Sequence, residues 1–245
     1  MAEVSERITI SGRGKMFRKG FVAGSPIIFG YIPIALTYGV LAYQSGLTLF
    51  ELTFMSAAVF AGAAQFLGVS MVAAGVSAAE IIIAVFVLNF RHFVMSLSFV
   101  NQMKAHAKKR KLPLTLFLTD ETFAISSIHK KEAKGPHAFW FYFGVMLAAY
   151  SAWVLGSLAG GLLGNVMPKA LSDSMGIALY AMFIGLLVPS LKKSIAVGGI
   201  AGAAMIINST AQWAGLTAGW SIVIGTILGG LLGVFLLPDE EEEEE

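Results

Sequence analysis

The sequence predicts an all-α polytopic membrane protein, and three observations lead there. Of 245 residues, 56% are hydrophobic and only 13% are charged, against roughly 25% charge in soluble domains. Apolar runs near the ~20 residues needed to cross a bilayer recur along the chain. Most bases gather in polar clusters at the ends of those runs, which is how juxtamembrane loops are marked. A cytoplasmic N-terminal segment 1–19, one membrane domain 20–237 and an acidic tail 238–245 are expected.

Arg7, Arg13, Lys15, Arg18 and Lys19 precede the first span, about 20–42, and the positive-inside rule keeps them cytoplasmic. The apolar run from Gly20 is too long for a signal-peptide core of 7–15 residues, so it is read as a retained helix. It carries Ser25-Pro26 and Tyr31-Ile32-Pro33. Each proline removes a backbone donor, which predicts a kinked helix, by simple packing or as an outright break, whose freed carbonyls either find partners or serve as ligands. The segment 49–76 contains Phe60-Ala61-Gly62-Ala63-Ala64-Gln65-Phe66. Small residues there permit close helix approach, and Gln65 is costly in lipid unless paired. In the span 79–100, Asn89, His92 and Ser96 share one helical face, which makes His92 a candidate proton relay. Arg91 points elsewhere and is expected to snorkel to the interface.

Lys104, Lys108, Lys109, Arg110 and Lys111 form one basic loop, and Lys130, Lys131 and Lys134 another. Both belong on the cytoplasmic side. If 20–42, 49–76 and 79–100 all crossed, the first of these loops would face outside. The count is repaired if 49–76 enters and returns as two half-helices broken near Gly62–Gln65, and if 114–128 does the same. Such irregular backbone survives at membrane depth only when protein or a wet cavity surrounds it. Spans at about 137–164, 171–190, 194–213 and 216–237 follow. The architecture expected is six crossings with two re-entrant or broken segments; seven or eight full crossings is the alternative. Glycines four apart (156/160, 198/202, 225/229, 229/233) mark packing faces. The likeness of 64–68 (AQFLG) to 211–215 (AQWAG) suggests a possible internal repeat.

The tip of the second dip would be Thr119-Asp120-Glu121-Thr122. An acid at the bilayer centre costs roughly 2.5–3.5 kcal/mol on insertion scales. The pair therefore either lines a hydrated cavity or sits on a short interfacial helix capped by Thr119. Enzyme chemistry is poorly supported. There is no G-x-x-x-x-G-K-[ST] loop and no H-E-x-x-H, and adjacent acids on a helix diverge by about 100°. The chain has no cysteine. His92, His106, His129 and His137 lack metal-ligand spacing, so neither metal nor cofactor is expected. The net charge of +2, with six acids in Glu240–Glu245, leaves no nucleic-acid footprint.

Gly30-Tyr31-Ile32-Pro33, Met55-Ser56, Phe60 to Phe66, Asn89-Phe90-Arg91-His92 and Leu118 to Ala124 resemble the AzlC family, the large subunit of two-component branched-chain amino acid exporters. The resemblance covers residues 24–127, whereas 137–237 agree in hydropathy and length. It implies a secondary exporter of small apolar amino acids in a prokaryotic plasma (inner) membrane, partnered by a small multi-span AzlD-type subunit. Combined with the residues above, the expected substrate site is Tyr31, Pro33, Gln65, Asn89, His92, Asp120 and Glu121. Asp120, Glu121 and His92 are the candidates for proton coupling. A passive channel built on the same dips is the competing expectation.

Overall fold

A computed structural model describes residues 2–103, 108–164, 166–168, 184–185, 187–188, 191–192 and 194–236. The regular elements are helices: α1 (Ala2–Gln44), α2 (Leu49–Val59), α3 (Gly62–Ala73), α4 (Ala78–Gln102), α5 (Lys108–Thr115), α6 (Asp120–Ile128), α7 (Ala138–Leu163), α8 (Ile195–Trp213) and α9 (Ala218–Leu236), with a 3-10 turn at Glu132–Lys134. Five are long and apolar enough to cross a bilayer: α1 from Gly12, α4, α7, α8, and α9 from Gly219. They correspond to five of the expected crossings. The sixth, 171–190, and the acidic tail lie largely or wholly outside the described residues. The chain divides into two compact units, Met1–Phe66 with Phe90–Ser172, and Leu67–Asn89 with Asp173–Glu245.

The first unit is built on α1 and α7, which run parallel in a constant register: Gly20 beside Phe141, Gly24 beside Val145, Ala35 beside Gly156, Tyr43 beside Gly164. A Cβ at Gly20 or Gly160 would run into the backbone of the opposite helix, so the two axes approach as closely as small residues allow. The 156/160 glycines thus form the packing face their spacing predicts.

The break expected at Pro26 and Pro33 does not occur, because α1 continues through both prolines. Pro26 cannot donate to the carbonyl one turn back, but the Ser25 hydroxyl donates to that Val22 oxygen at 2.8 Å. The freed acceptor is satisfied within the helix and offers nothing to a ligand.

The break in 49–76 does occur, slightly earlier than expected. Thr48 and Glu51 close a capping box at the start of α2, and Phe60 ends it in the left-handed region (φ 44°). A bulky residue rarely holds that conformation; here its ring is fixed edge-on to Tyr150 at 5.1 Å. The chain then reverses. Gln65 Nε2 reaches back to Ser56 Oγ at 2.9 Å, and Phe66 packs on Tyr38, whose hydroxyl meets Leu52 O. Leu49 and Leu52 lie against Gly161 while Ala57 O accepts from Tyr150, so α2 descends α7 from its C-terminal end to its middle. With 11 and 12 residues, α2 and α3 are each about 17 Å long, roughly half a hydrocarbon core.

The second dip mirrors it from the other end. Phe99 at the foot of α4 packs edge-on to Tyr142, and Lys111 Nζ donates to Val100 O. The end of α4 therefore lies beside the start of α7, not its far end. From there α5 climbs until Phe117 meets Tyr150, and α6 returns until His129 packs on Phe141. Among the described residues, α2–α3 and α5–α6 each turn back beside α7, as the two-dip arrangement expects.

In the second unit, Met71, Ala84 and Val223 form a small buried cluster, and Gly225 and Gly229 of α9 pack on Ala204 of α8. Of the 198/202 pair, Gly198 lies against the Leu191 side chain, and Gly202 has no close neighbour among the described residues. The two similar pentapeptides occupy unlike settings. Phe66 is buried near the start of α3, whereas its counterpart Trp213 at the end of α8 is 93% exposed.

Candidate functional site

The first turn of α6 assembles the site. Thr119 adopts extended backbone (φ −126°, ψ 173°) and caps the helix, accepting from Thr122 N while Thr122 Oγ1 accepts from its own N–H. This is the capping geometry weighed in the sequence, yet it sits at the tip of a dip rather than on a plain surface helix. Tyr31 is a dozen residues beyond Lys19, about 18 Å along α1, near mid-core if the basic end marks the interface. The N-terminal end of the helix dipole favours the acids that follow the cap.

The two acids diverge as their spacing requires. Glu121 Oε2 lies 2.5 Å from the Tyr31 hydroxyl, which is also 2.8 Å from Thr119 Oγ1. A hydroxyl carries one proton. With Tyr31 donating to the carboxylate, the contact with Thr119 is made by the threonine's proton, giving a short relay from Thr119 through Tyr31 to Glu121. Asp120 Oδ2 instead pairs with Arg91 Nη1 at 3.0 Å. Arg91 therefore does not snorkel to the interface: it reaches an acid at the tip of the dip, and its Nε is buried without a hydrogen-bond partner among the described residues. Glu121 also faces a groove of about 320 Å³ between α1 and α6, whose other walls are Pro26, Ile27, Gly30, Tyr31, Ile34, Ala124 and Ile125. One carboxylate and one phenol on an otherwise apolar surface suit a small amphiphile with a cationic head.

Behind Tyr31 lies a second, neutral network. Its ring meets Trp153 edge-on at 5.3 Å, and Trp153 Nε1 donates to Gln65 Oε1 at 2.8 Å. Gln65 donates to Ser56, Ser56 to Ser157 at 2.8 Å, and Ser157 to Trp153 O at 2.7 Å. Gln65, Ser56 and Ser157 are completely buried. Each listener in that ring has its partner, so the polar atoms stay inside without the penalty of orphaned groups.

Among the expected site residues, Tyr31 and Glu121 come together, with Asp120 on the adjoining face. Gln65 belongs to the neutral ring. Pro33 is exposed on α1, and its carbonyl accepts from Thr37, so it is not part of the groove. His92 is half-buried on the less exposed face of α4 that it shares with Ser96, but the α4 side chain that pairs with Asp120 is Arg91. Asn89 belongs to the second unit, where its Oδ1 is buried and accepts no hydrogen bond from the described residues. Tyr150, Trp153 and Tyr38 were missed. They lie in apolar stretches where aromatic residues read as lipid-facing or core, and nothing local marks them as meeting points.

A family model described as AzlC protein matches residues 26–167, a stretch that contains Tyr31, Gln65, Arg91, Asp120, Glu121 and Trp153. An uncharacterized membrane protein of Archaeoglobus fulgidus is 34% identical over 81% of this chain and 89% of its own length. The inner membrane protein YgaZ of Escherichia coli is 28% identical over 83% and 87%. The branched-chain amino acid transport protein AzlC of Bacillus subtilis is 25% identical over 72% and 68%. No solved structure matches the chain. On the extent of the family match and the relatives at this level of identity, this multi-pass membrane protein belongs to the AzlC family.

Proposed function

We propose that the chain is the large subunit of a proton-driven secondary exporter of branched-chain amino acids, working with a small multi-span AzlD-type subunit in a prokaryotic plasma membrane. The observation that carries this reading is Glu121: an acid bonded to Tyr31 and facing an apolar groove at the tip of a broken helix. The name of the Bacillus subtilis relative supports the substrate class. The substrate ammonium group binds Glu121, and its branched side chain lies against Ile27, Ile34 and Ile125. The N-terminus of α3, where the half-helix dipole is positive, suits the carboxylate. Proton binding to Glu121 breaks its attraction for the ammonium group, so proton and substrate exchange at one carboxylate. Asp120 is held by Arg91, which leaves Glu121 as the exchanging acid.

Purified chain and small subunit, reconstituted together in vesicles, test this. An imposed proton gradient drives valine against its own gradient, and Glu121→Gln abolishes that movement. A passive channel would only equilibrate valine, with or without the gradient, and that result would defeat the exporter reading. Sidedness is tested in this cysteine-free chain by single cysteines at Ser45 and Lys131. From outside intact cells, a membrane-impermeant label reaches the first and not the second.

A further inference from the structure

We infer that the foot of the first unit holds a binding site for the phosphate headgroup of an anionic phospholipid. A cavity of about 460 Å³ opens where α1, α5 and α7 meet, lined by Arg13, Lys109, His137, Trp140, Phe139 and prolines 113 and 136. No acid lines it. The ion pairs among the described residues are Lys19–Glu132 and Arg91–Asp120. Lys19 is thus neutralised nearby, while Arg13 and Lys109 face the cavity with their charges uncompensated. Two cations converging from separate helices on a concave surface favour an anion, and the planar guanidinium matches phosphate oxygens in particular.

Depth identifies the source of the phosphate. The 26-residue α7 is about 39 Å long, longer than a hydrocarbon core of ~30 Å. Trp140 and Phe139 lie in its first turn, so they fall at headgroup level, where aromatic rings of membrane proteins collect. A basic cavity between membrane helices at that level suits a lipid headgroup, with the rings and Pro113 against the glycerol and upper acyl chain.

The test uses the full chain purified in neutral detergent, with bound lipid read by native mass spectrometry during titration with phosphatidylglycerol, phosphatidylcholine or inorganic phosphate. Phosphatidylglycerol binds, phosphatidylcholine does not, and inorganic phosphate fails to displace the bound lipid. Arg13→Gln with Lys109→Gln weakens phosphatidylglycerol binding by about tenfold to thirtyfold. Arg13→Lys with Lys109→Arg keeps the charge and retains binding. Lys15→Gln with Arg18→Gln, an equal loss of charge outside the cavity lining, also retains it. Equal weakening by this control pair, or unchanged binding in the cavity variant, would overturn the site. Displacement by inorganic phosphate would overturn its assignment to lipid.

Discussion

The two broken helix pairs share a plan and differ in chemistry. Both enter beside α7, both stop at the same residue, and Phe60 and Phe117 each meet the Tyr150 ring at 5.1 Å. Between α2, α3 and α7 the ring of Gln65, Ser56, Ser157 and Trp153 is neutral, buried and mutually satisfied. Around α5 and α6 the polar groups are charged and part-exposed: Arg91 and Asp120 retain 35% and 28% of their side-chain surface, and Glu121 faces the groove. A closed neutral network resists change, because each lost partner strands another group. A charged cluster open on one side can exchange a partner for a ligand or a proton. On the proposed function, the first dip is the support and the second the working part.

Three substitutions test that division and a fourth lies outside it, from the largest expected effect downward. Gln65→Leu strands Trp153 Nε1 and removes a bond from Ser56. At about 1–3 kcal/mol per unsatisfied group, the loss of stability is on the order of 2–4 kcal/mol, read as a lower unfolding midpoint in detergent. Unchanged melting would show that the ring is not the support. Glu121→Gln does the reverse: folding is kept, while proton-driven valine accumulation is lost and valine binding weakens roughly 10- to 150-fold, the loss of one charge-assisted contact. Tyr31→Phe keeps the ring on Trp153 and removes only the hydroxyl. Transport then falls about 3- to 10-fold, and an effect equal to that of Glu121→Gln would make the phenol, not the acid, the central group.

The smallest effect lies outside both dips. Glu132 in the basic loop is held below the usual carboxylate range, first by its hydrogen bond from Lys19 and further by that residue's charge. A depressed carboxylate stabilises the fold above its unfolded-state value and ceases to do so as pH falls through the folded-state value. Acidification below about pH 4.5 thus removes a contribution that Glu132→Gln lacks at every pH. For a pair this exposed the difference is about 0–1 kcal/mol, visible as convergence of the two melting curves in acid.

Much of this was legible in residues taken singly. Lys108 to Lys111 and Lys130 to Lys134 demanded one side of the membrane, which forced 49–76 and 114–128 to double back. Asp120 and Glu121 demanded relief from lipid. Proline misled: a missing donor was read as a broken helix, yet one neighbouring hydroxyl, Ser25, repairs the ladder, and that repair is visible only in three dimensions. Arg91 misled for a related reason. An isolated base near a span's end has water as its nearest relief, but a base with an acid within reach takes the acid.

Sequence alone therefore determined the class of protein and the two places where the chain turns back, because transfer of charge and of unpaired backbone into hydrocarbon is costly wherever it happens. Tertiary structure decided which acid receives Arg91 and which receives Tyr31, that Gln65 closes a ring instead of facing the groove, and that both dips end on Tyr150. Those outcomes depend on contacts between residues some 30 to 100 positions apart in the chain, such as Tyr31 with Glu121 and Ser56 with Ser157. No local spacing encodes them. They are set by the close parallel packing of α1 on α7, which fixes the height at which every other side chain in the unit must find its partner.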